Sequence, residues 1–279
     1  MVLKVAGGDG SAGSKPSLVV LPECFNSPYG RVSKYAETIG FTKADDIEVQ
    51  TCQSESVRML SSAAKEANIW LVGGDADNKF YKTCTVYSPT GKFISVFVAP
   101  TLTCDILPGA LVAMHRKVHL FDIDIPGKIT LKESKMISGG SSMNFFDTEF
   151  ARIGLGICHD VRFPELAMIS ARRGCHMLIY PGAFNLTTGP LHWSLLQRAR
   201  YERASPQEVF PARDMSARYH AWGHSMVVDP FGKILAEAEE GESVVQVSID
   251  PTVLYDARAG IPVTTQRRFD VYPDVSSAQ

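Results

Sequence analysis

The sequence lacks a long apolar run, a dense group of basic residues and a closely spaced pair of cysteines. No segment has the roughly 18 continuous apolar residues that a membrane-spanning helix needs, because residues 97–114, the nearest candidate, are broken by Pro100, Asp105 and Pro108. A formal net charge of -2, without a Lys/Arg run, argues against nucleic-acid binding. The six cysteines form no Cys-x-x-Cys pair, so neither a disulfide framework nor a zinc site is indicated. A reducing compartment is expected, the cytoplasm first, with the mitochondrion left open.

What the chain does contain is typical of a globular protein. Its 279 residues are 45% hydrophobic and 21% charged, enough to bury a full core. Residues 1–16 are rich in glycine and are interpreted as a flexible leader, residues 17–273 as one domain and residues 274–279 as a tail. Strands and helices alternate with antiparallel hairpins, which predicts a layered α/β sandwich. The predicted helices cover 57–67 and 165–173 and begin again near 192 and 251; strands are predicted at 17–23, 69–72, 176–180, 222–228 and 243–249, and hairpins pair 81–87 with 92–96 and 225–228 with 234–237.

The stretch around Cys158 is the strongest candidate for chemistry. Three apolar residues, Ile153, Leu155 and Ile157, alternate with glycines, as in a short buried strand. Pro164 suits the first position of a following helix. A thiol on such a strand-to-helix turn stands beside backbone N–H groups that can bind an anion. The alternative is a buried structural cysteine, which is the commoner case for an isolated cysteine.

Three charged residues elsewhere in the chain supply what a reactive thiol needs. Glu23 ends an apolar run, although carboxylates at strand ends are more often structural than catalytic. A thiol needs a base and a nearby cation, and Glu23 can be that base. Attack on an amide carbonyl creates an oxyanion, which Lys117 and the N–H of His159 suit, each donor being worth about 3 to 4 kcal/mol. Glu133 would hold the lysine in place.

Several longer motifs carry a family resemblance. They are Leu21-Pro22-Glu23-Cys24-Phe25-Asn26-Ser27-Pro28-Tyr29-Gly30, His115-Arg116-Lys117 through Thr130, Gly154 to Cys158, Tyr180 to Pro190 and Ala221 to Ser225. Together these segments resemble the nitrilase (carbon-nitrogen hydrolase) superfamily, and within it the omega-amidase branch. The similarity covers most of residues 18 to 273.

The resemblance implies a four-layer α-β-β-α sandwich whose subunits pair, and a reaction through a cysteine thioester. It implies that Glu23 is the general base, Lys117 the oxyanion cation, Glu133 the supporting carboxylate and Cys158 the nucleophile, with the backbone of His159 in the oxyanion hole. Omega-amidases hydrolyse 2-oxoglutaramate and 2-oxosuccinamate to the 2-oxo acid and ammonia. No metal or organic cofactor is implied, and the expected partners are a small amide bearing a carboxylate and a second copy of the chain, with no nucleic acid and no membrane.

Three segments depart from the family pattern. The glycine-rich leader stands where the family has its first strand and helix, so both elements are expected to be missing. Residues 97–114 form an apparent 18-residue insertion that could displace Lys117. Residues 201–210 replace a helix end and an apolar strand with a sequence that contains Pro206.

Two alternatives to the omega-amidase interpretation therefore stay open. One is a related enzyme acting on another amide, such as deaminated glutathione, or on a nitrile; the other is a non-catalytic remnant that binds partners. Substrate contacts are expected among Phe25, Tyr29, Arg162, Phe184 and Thr187. Packing in the core or a loop is the commoner role for all of these except Arg162, for which a pair with Glu165 across the turn is an equal alternative. A substrate carboxylate needs a cationic or N–H-rich partner, which the sequence does not identify.

Overall fold

The computed structural model describes residues 15–27, 35–38, 52–77, 81–89, 92–93, 104–105, 109–127, 129–200 and 220–271. Four α-helices lie within these ranges: α1 (Glu55–Ala67), α2 (Pro164–Arg172), α3 (Gly189–Arg198) and α4 (Pro251–Gly260). Two 3-10 helices, Glu133–Lys135 and Cys158–Arg162, begin at residues of the candidate site. No helix in the described part of the chain is long and apolar enough to cross a membrane.

Thirteen strands are present in the described residues. They are β1 (Leu18–Val20), β2 (Trp70–Asp77), β3 (Tyr81–Tyr87), β4 (Lys92–Phe93), β5 (Cys104–Asp105), β6 (Leu111–Arg116), β7 (Asp122–Ile125), β8 (Ile129–Lys132), β9 (Phe145–Asp147), β10 (Arg152–Leu155), β11 (Met177–Ile179), β12 (Met226–Val228) and β13 (Ile234–Glu237). One sheet has the order β1-β2-β3-β6 and a second the order β11-β10-β9. β1 pairs with β2, and β10 with β11, in parallel, and the other pairs in these two sheets are antiparallel.

The two sheets face each other across a shared apolar core. Trp70 and Val72 of the first sheet belong to the same buried cluster as Phe146 and Leu155 of the second, and the rings of Trp70 and Phe146 lie 5.7 Å apart. The alternate residue Leu71 points to the other face of the first sheet, as the two-residue period of a strand requires.

Helices cover the outer faces of the two sheets. On the first sheet, Leu71 packs in one buried cluster with Val57 and Leu60 of α1. On the second sheet, Leu166 and Ala167 of α2 join the central cluster beside the strands. The layers therefore follow the order helix, sheet, sheet, helix that the sequence predicts, and the α-β-β-α class is confirmed.

Several predicted elements are confirmed with small changes in their ends. The helix predicted from residue 57 begins at Glu55, with Ser54 accepting a hydrogen bond from the backbone of Val57 as its N-cap. Pro164 is the first residue of α2, as predicted. The late hairpin forms from β12 and β13, with an irregularity in register between Val227 and Val228. The last helix begins at Pro251 and α3 begins at Gly189, three residues before the predicted start.

Two strand predictions are wrong. β3 does not pair with the strand that follows it at Lys92: its neighbours are β2 and β6, and β4 pairs with β5 instead. The Pro/Gly signal at residues 88–91 predicted a local turn, whereas the partner strand is β6, which begins within the insertion and continues past its end. Residues 243–249 form no strand, although their alternation of apolar and polar residues suggested one.

The insertion does not remove Lys117 from the sheet edge, which corrects that expectation. Residues 111–114, counted with the insertion, are part of β6 and pair with β3. The backbone closes the excursion at its base, where the N–H of Ser88 donates to Ala110 and the N–H of Gly109 donates to Ser88, at 3.0 and 2.9 Å. Ser61 of α1 also donates to the carbonyl of Gly109 at 2.6 Å. The chain therefore re-enters the sheet upstream of Lys117, with a shift in register between Val86 and Tyr87.

Some expectations fall on residues that the structure does not describe. They are the leader from 1 to 14, Tyr29, residues 97–103 and 106–108 of the insertion, the divergent segment 201–210 and the tail from 274. The proposed domain limits accordingly stay predictions. Within the described ranges, β1 is an edge strand of its sheet.

Candidate active site

Cys158 lies at a sharp turn between the second sheet and α2. It is the first residue of the 3-10 helix that follows β10, and its backbone has a φ of +46°, in the left-handed region that residues other than glycine seldom adopt. The N–H of Cys158 donates to the carbonyl of Pro181 at 2.7 Å, which holds the turn against the end of β11. The side chain is 5% exposed, so the thiol sits in a nearly closed site.

Four charged side chains form a compact buried cluster in the same site. The ammonium Nζ of Lys117 lies 2.9 Å from Glu133 Oε2 and 3.4 Å from Glu23 Oε1. A second ammonium, Lys82 Nζ, lies 2.8 Å from Glu23 Oε1 and 2.7 Å from Glu133 Oε1. None of the four is more than 6% exposed. Two carboxylates and two ammoniums thus balance each other, which is the usual condition for burying charge.

The backbone fixes both carboxylates from a second direction. The N–H of Ala183, in the loop after β11, donates to Glu23 Oε2 at 3.1 Å. The N–H of Phe121 donates to Glu133 Oε2 at 2.7 Å. Each glutamate therefore has one oxygen held by a backbone N–H and at least one shared with the lysines, and the orientation of Glu23 is set from both sheets.

Strand ends deliver these groups to one place. Glu23 lies in the turn after β1, Lys117 directly follows β6, and Lys82 is the second residue of β3, between its neighbours β2 and β6. Glu133 begins the 3-10 helix after β8. The structure thus brings together Glu23, Lys117, Glu133 and Cys158, which the sequence placed in one site, and adds Lys82.

Electrostatics keep both carboxylates ionised despite their burial. Burial alone would raise the pKa of Glu23, but the ammoniums of Lys117 and Lys82 outweigh it and the net pKa is lowered. Burial likewise opposes ionisation of Glu133, and the two lysines bring its pKa far below the usual range. The pKa values of both lysines are raised, because the carboxylates outweigh the effect of their burial.

The thiol of Cys158 is protonated in this resting arrangement. Burial and the negative charge of Glu23 raise its pKa well above the ordinary value, while Lys117, Lys82 and the N–H of Ala183 act in the opposite direction. The carboxylate of Glu23 therefore interacts electrostatically with the thiol. A protonated thiol beside an ionised carboxylate is the arrangement in which the proton can be transferred as the sulfur attacks.

Asp160 ties the Cys158 turn to the segment after Lys117. The side chain is fully buried, and its Oδ2 accepts from the backbone N–H of Ile157 at 2.9 Å. Its Oδ1 accepts from the backbone N–H of His119 at 2.8 Å and lies 2.7 Å from His119 Nδ1. The pKa of Asp160 is lowered far below its usual range, since the hydrogen bonds from His115 and His119 outweigh burial. This carboxylate fixes the nucleophile turn relative to the lysine.

The expected substrate contacts separate into two groups. Phe25 packs against the cluster under α1, which fits a core position. Thr187 donates its backbone N–H to Asn185 Oδ1, which fits a turn. Arg162 and Phe184 lie together, with the guanidinium 4.9 Å from the centroid of the phenyl ring.

Arg162 is the cation among the residues expected to bind substrate. It is partly buried. Burial lowers the pKa of the guanidinium, and a negative charge on Cys158 acts in the opposite direction. Its Nη1 lies 3.1 Å from His192 Nδ1. His159, next to the thiol, is not a second cation at neutral pH, because burial, followed by the charges of Lys117 and Arg162, lowers its pKa to about 4.

Lys82 and Asp160 are the two buried charged residues of this site that sequence reasoning missed. Lys82 stands in the alternating stretch Tyr-Lys-Thr-Cys-Thr-Val-Tyr, where a lysine is ordinarily solvent-facing. The available signal for Asp160 was its position two residues after Cys158, in the first turn of the 3-10 helix, where an acidic residue can accept from the preceding backbone.

A carbon-nitrogen hydrolase family model matches residues 10–259. The chain belongs to the carbon-nitrogen hydrolase family. It is 49% identical to a hydrolase of Schizosaccharomyces pombe over 273 residues, covering 94% of this chain and 75% of that protein. It is 47% identical to an omega-amidase of Homo sapiens over 266 residues, covering 91% and 84% of the two chains.

A solved structure of a carbon-nitrogen hydrolase relative agrees with the fold. Saccharomyces cerevisiae Nit3, a member of branch 10 of the nitrilase superfamily, superposes with a TM-score of 0.72 at 42% identity, covering 91% of this chain and 83% of that one. The predicted superfamily and the predicted sandwich are therefore confirmed, and the protein is a hydrolase that acts on carbon-nitrogen bonds.

Proposed function

We propose that this carbon-nitrogen hydrolase is an omega-amidase, which releases ammonia from the terminal amide of 2-oxoglutaramate or 2-oxosuccinamate. The observation that carries the proposal is the buried cluster of Glu23, Lys117 and Glu133 beside Cys158. The similarity to an omega-amidase of Homo sapiens supports the choice of substrate. The intact cluster weighs against a non-catalytic remnant, because side chains of a disused site have no reason to keep this geometry.

In the first step, Glu23 takes the thiol proton as the sulfur of Cys158 attacks the amide carbon. The carbon-sulfur bond forms and the carbonyl electrons move to oxygen, giving a tetrahedral oxyanion. Lys117 Nζ and the backbone N–H of His159 stabilise this negative charge. Glu133 holds Lys117 at 2.9 Å and keeps it charged throughout.

In the second step, the carbon-nitrogen bond breaks and Glu23 returns the proton to the departing nitrogen, which leaves as ammonia. A thioester remains on Cys158. Glu23, ionised again, takes a proton from water as the water oxygen attacks the thioester carbon. The carbon-sulfur bond breaks, the sulfur recovers a proton, and the 2-oxo dicarboxylic acid is released. One carboxylate thus serves as base, acid and base again.

Arg162 is proposed to bind the free carboxylate of the substrate. A guanidinium suits this task because it can donate two parallel hydrogen bonds to a carboxylate. Its neighbour Phe184 is proposed to form the apolar wall beside the methylene chain. Arg162 ends the 3-10 helix that begins at Cys158, and Phe184 lies in the loop after β11. The substrate would then lie with its amide at Cys158 and its carboxylate at Arg162.

Assembly and compartment complete the proposal. We propose a homodimer, following the family resemblance, which size-exclusion chromatography with light scattering would test. A reducing compartment such as the cytoplasm is supported by five of the six cysteines, Cys24, Cys52, Cys84, Cys158 and Cys175, which are free thiols.

The test of function is ammonia release from 2-oxoglutaramate by the wild-type protein, with Cys158→Ala as the control. We expect turnover by the wild type and none by the variant, which lacks the nucleophile. Deaminated glutathione and a simple nitrile, assayed in parallel, separate the omega-amidase from other amidases and nitrilases. Equal ammonia release by both proteins would reject the mechanism, and faster turnover of another amide would reject the substrate.

A further inference from the structure

Lys82 is the nearer of the two ammoniums to Glu23. Its Nζ lies 2.8 Å from Glu23 Oε1, against 3.4 Å for Lys117. It also reaches Glu133 at 2.7 Å, so it bridges the two carboxylates. A side chain only 6% exposed, in the middle of a sheet, has lost its hydration and is retained by these two contacts.

The two lysines differ in how they contact the carboxylates, because Lys82 is close to both glutamates and Lys117 is close to Glu133 alone. Lys117 is closest to Glu133, at 2.9 Å, and its contact with Glu23 is long. Glu23 is held on Oε1 by Lys82 and on Oε2 by the N–H of Ala183. The shortest ion pair of the base is thus with the lysine that the mechanism above does not use.

We infer that Lys82 is a positioning residue for the base: it holds Glu23 in line with Cys158 and keeps it ionised, leaving Lys117 available to the oxyanion. This inference rests on the proposed function, since it gives Lys82 a part in the same reaction. Lys82 does not touch the reacting atoms in this account. It acts through the carboxylate that does.

Charge counting gives the expected direction of the effect. The titratable and charged groups that face Lys82 are Glu23, Glu133, Lys117, Cys24 and Cys158. Without Lys82, two carboxylates share a single ammonium, and each disfavours ionisation of the other. An opposite charge this close lowers a carboxylate pKa by about 1 to 3 units, so its loss should raise the pH at which Glu23 becomes a base.

The experiment compares the pH profile of kcat/KM for the wild type, Lys82→Met and Lys82→Gln. We expect the acid limb to move up by about one pH unit or more in both variants, with kcat falling more than KM changes. Glutamine keeps a hydrogen-bond donor without the charge, so it separates the two contributions. Lys132→Met, which removes an exposed lysine one residue before Glu133, is the matched control and should keep the wild-type profile.

A second readout needs no substrate. The rate of Cys158 alkylation by iodoacetamide, followed by mass spectrometry of its peptide across the same pH range, reports thiol activation directly. Both Lys82 variants should require higher pH for the same rate. If the wild type hydrolyses no 2-oxoglutaramate, the proposed function fails while this readout still tests Lys82.

Three outcomes would overturn the inference. One is an acid limb and an alkylation profile within about 0.3 pH units of the wild type in both variants, which is far smaller than an adjacent charge produces. The second is a wild-type pH profile in Lys82→Gln but not in Lys82→Met. That result would show that Lys82 acts through a hydrogen bond and that its charge has no part. The third is failure of both variants to fold, judged by circular dichroism, which would make Lys82 a residue required for folding.

Discussion

Replacing Asp160 by asparagine tests how the Cys158 turn is held against the segment after Lys117. The carboxylate accepts from the backbone N–H groups of Ile157 and His119 on different oxygens, at 2.9 and 2.8 Å. An amide keeps only one accepting oxygen. Whichever way it is oriented, one of these two N–H groups then faces an NH₂ group.

The expected loss of stability in Asp160→Asn has two sources, an unpaired backbone N–H and the loss of a hydrogen bond to a charged group. A buried donor left without an acceptor costs about 1 to 3 kcal/mol, and a hydrogen bond to a charged group contributes about 1.5 to 3 kcal/mol. These terms overlap, because the same contact is removed, so we expect Asp160→Asn to lower the free energy of unfolding by about 2 to 4 kcal/mol. Activity should fall as well, since the nucleophile turn is no longer fixed relative to Lys117.

The assay is urea denaturation at pH 7, with Asp122→Asn as the matched control. Asp122 also accepts two hydrogen bonds, from the backbone and hydroxyl of Ser134, but it is exposed. Water can replace those contacts, so we expect the control to lose less than about 1 kcal/mol. An Asp160→Asn protein whose stability lies within about 0.5 kcal/mol of the wild type would refute the reasoning.

Three further predictions address packing, pH and substrate binding. Gly156→Ala should lower the free energy of unfolding by about 1 to 3 kcal/mol in urea titrations, because the added Cβ would lie 2.5 Å from the buried ring of Tyr180. An unchanged midpoint of urea unfolding would contradict this packing. The pKa of His159 is lowered from 6.5 to about 4. Between these two pH values the unfolded chain binds a proton that the folded chain does not, so the free energy of unfolding falls as the pH falls. His159→Phe should therefore lose less stability than the wild type between pH 7 and pH 4.5, and equal losses would contradict this assignment. Arg162→Met should raise KM for 2-oxoglutaramate by about 10- to 100-fold, the loss of one charge-assisted contact, and leave an amide without a carboxylate nearly unaffected; equal effects on both substrates would exclude a carboxylate contact.

Local pattern was sufficient to predict the nucleophile turn. Alternation of Ile153, Leu155 and Ile157 with glycine indicated a buried strand, and Pro164 marked the start of α2. These signals depend on neighbours along the chain, which a sequence shows directly. The left-handed φ of Cys158 could not be predicted in the same way, because it depends on the hydrogen bond to Pro181 across the sheet.

Contacts between distant segments account for what the sequence did not show. The turn signal near Pro89 predicted a hairpin with Lys92, yet β6, which begins within the insertion, supplies the partner of β3. Lys82 was missed for the same reason: its burial arises because neighbouring strands and both glutamates surround it. Four segments separated by up to 110 residues, between Glu23 and Glu133, meet only in the fold.

The most direct test of the central claim is to identify the residue that carries the acyl group during turnover. The wild type and Glu23→Gln are mixed with 2-oxoglutaramate, quenched in acid within the first turnovers, digested and analysed by mass spectrometry. In the wild type we expect a 2-oxoglutaryl thioester on the peptide containing Cys158, one per chain, and ammonia released in step with its formation. In Glu23→Gln, which lacks the base for the attack, we expect neither. Turnover without an adduct on Cys158, or an adduct on another cysteine, would contradict it.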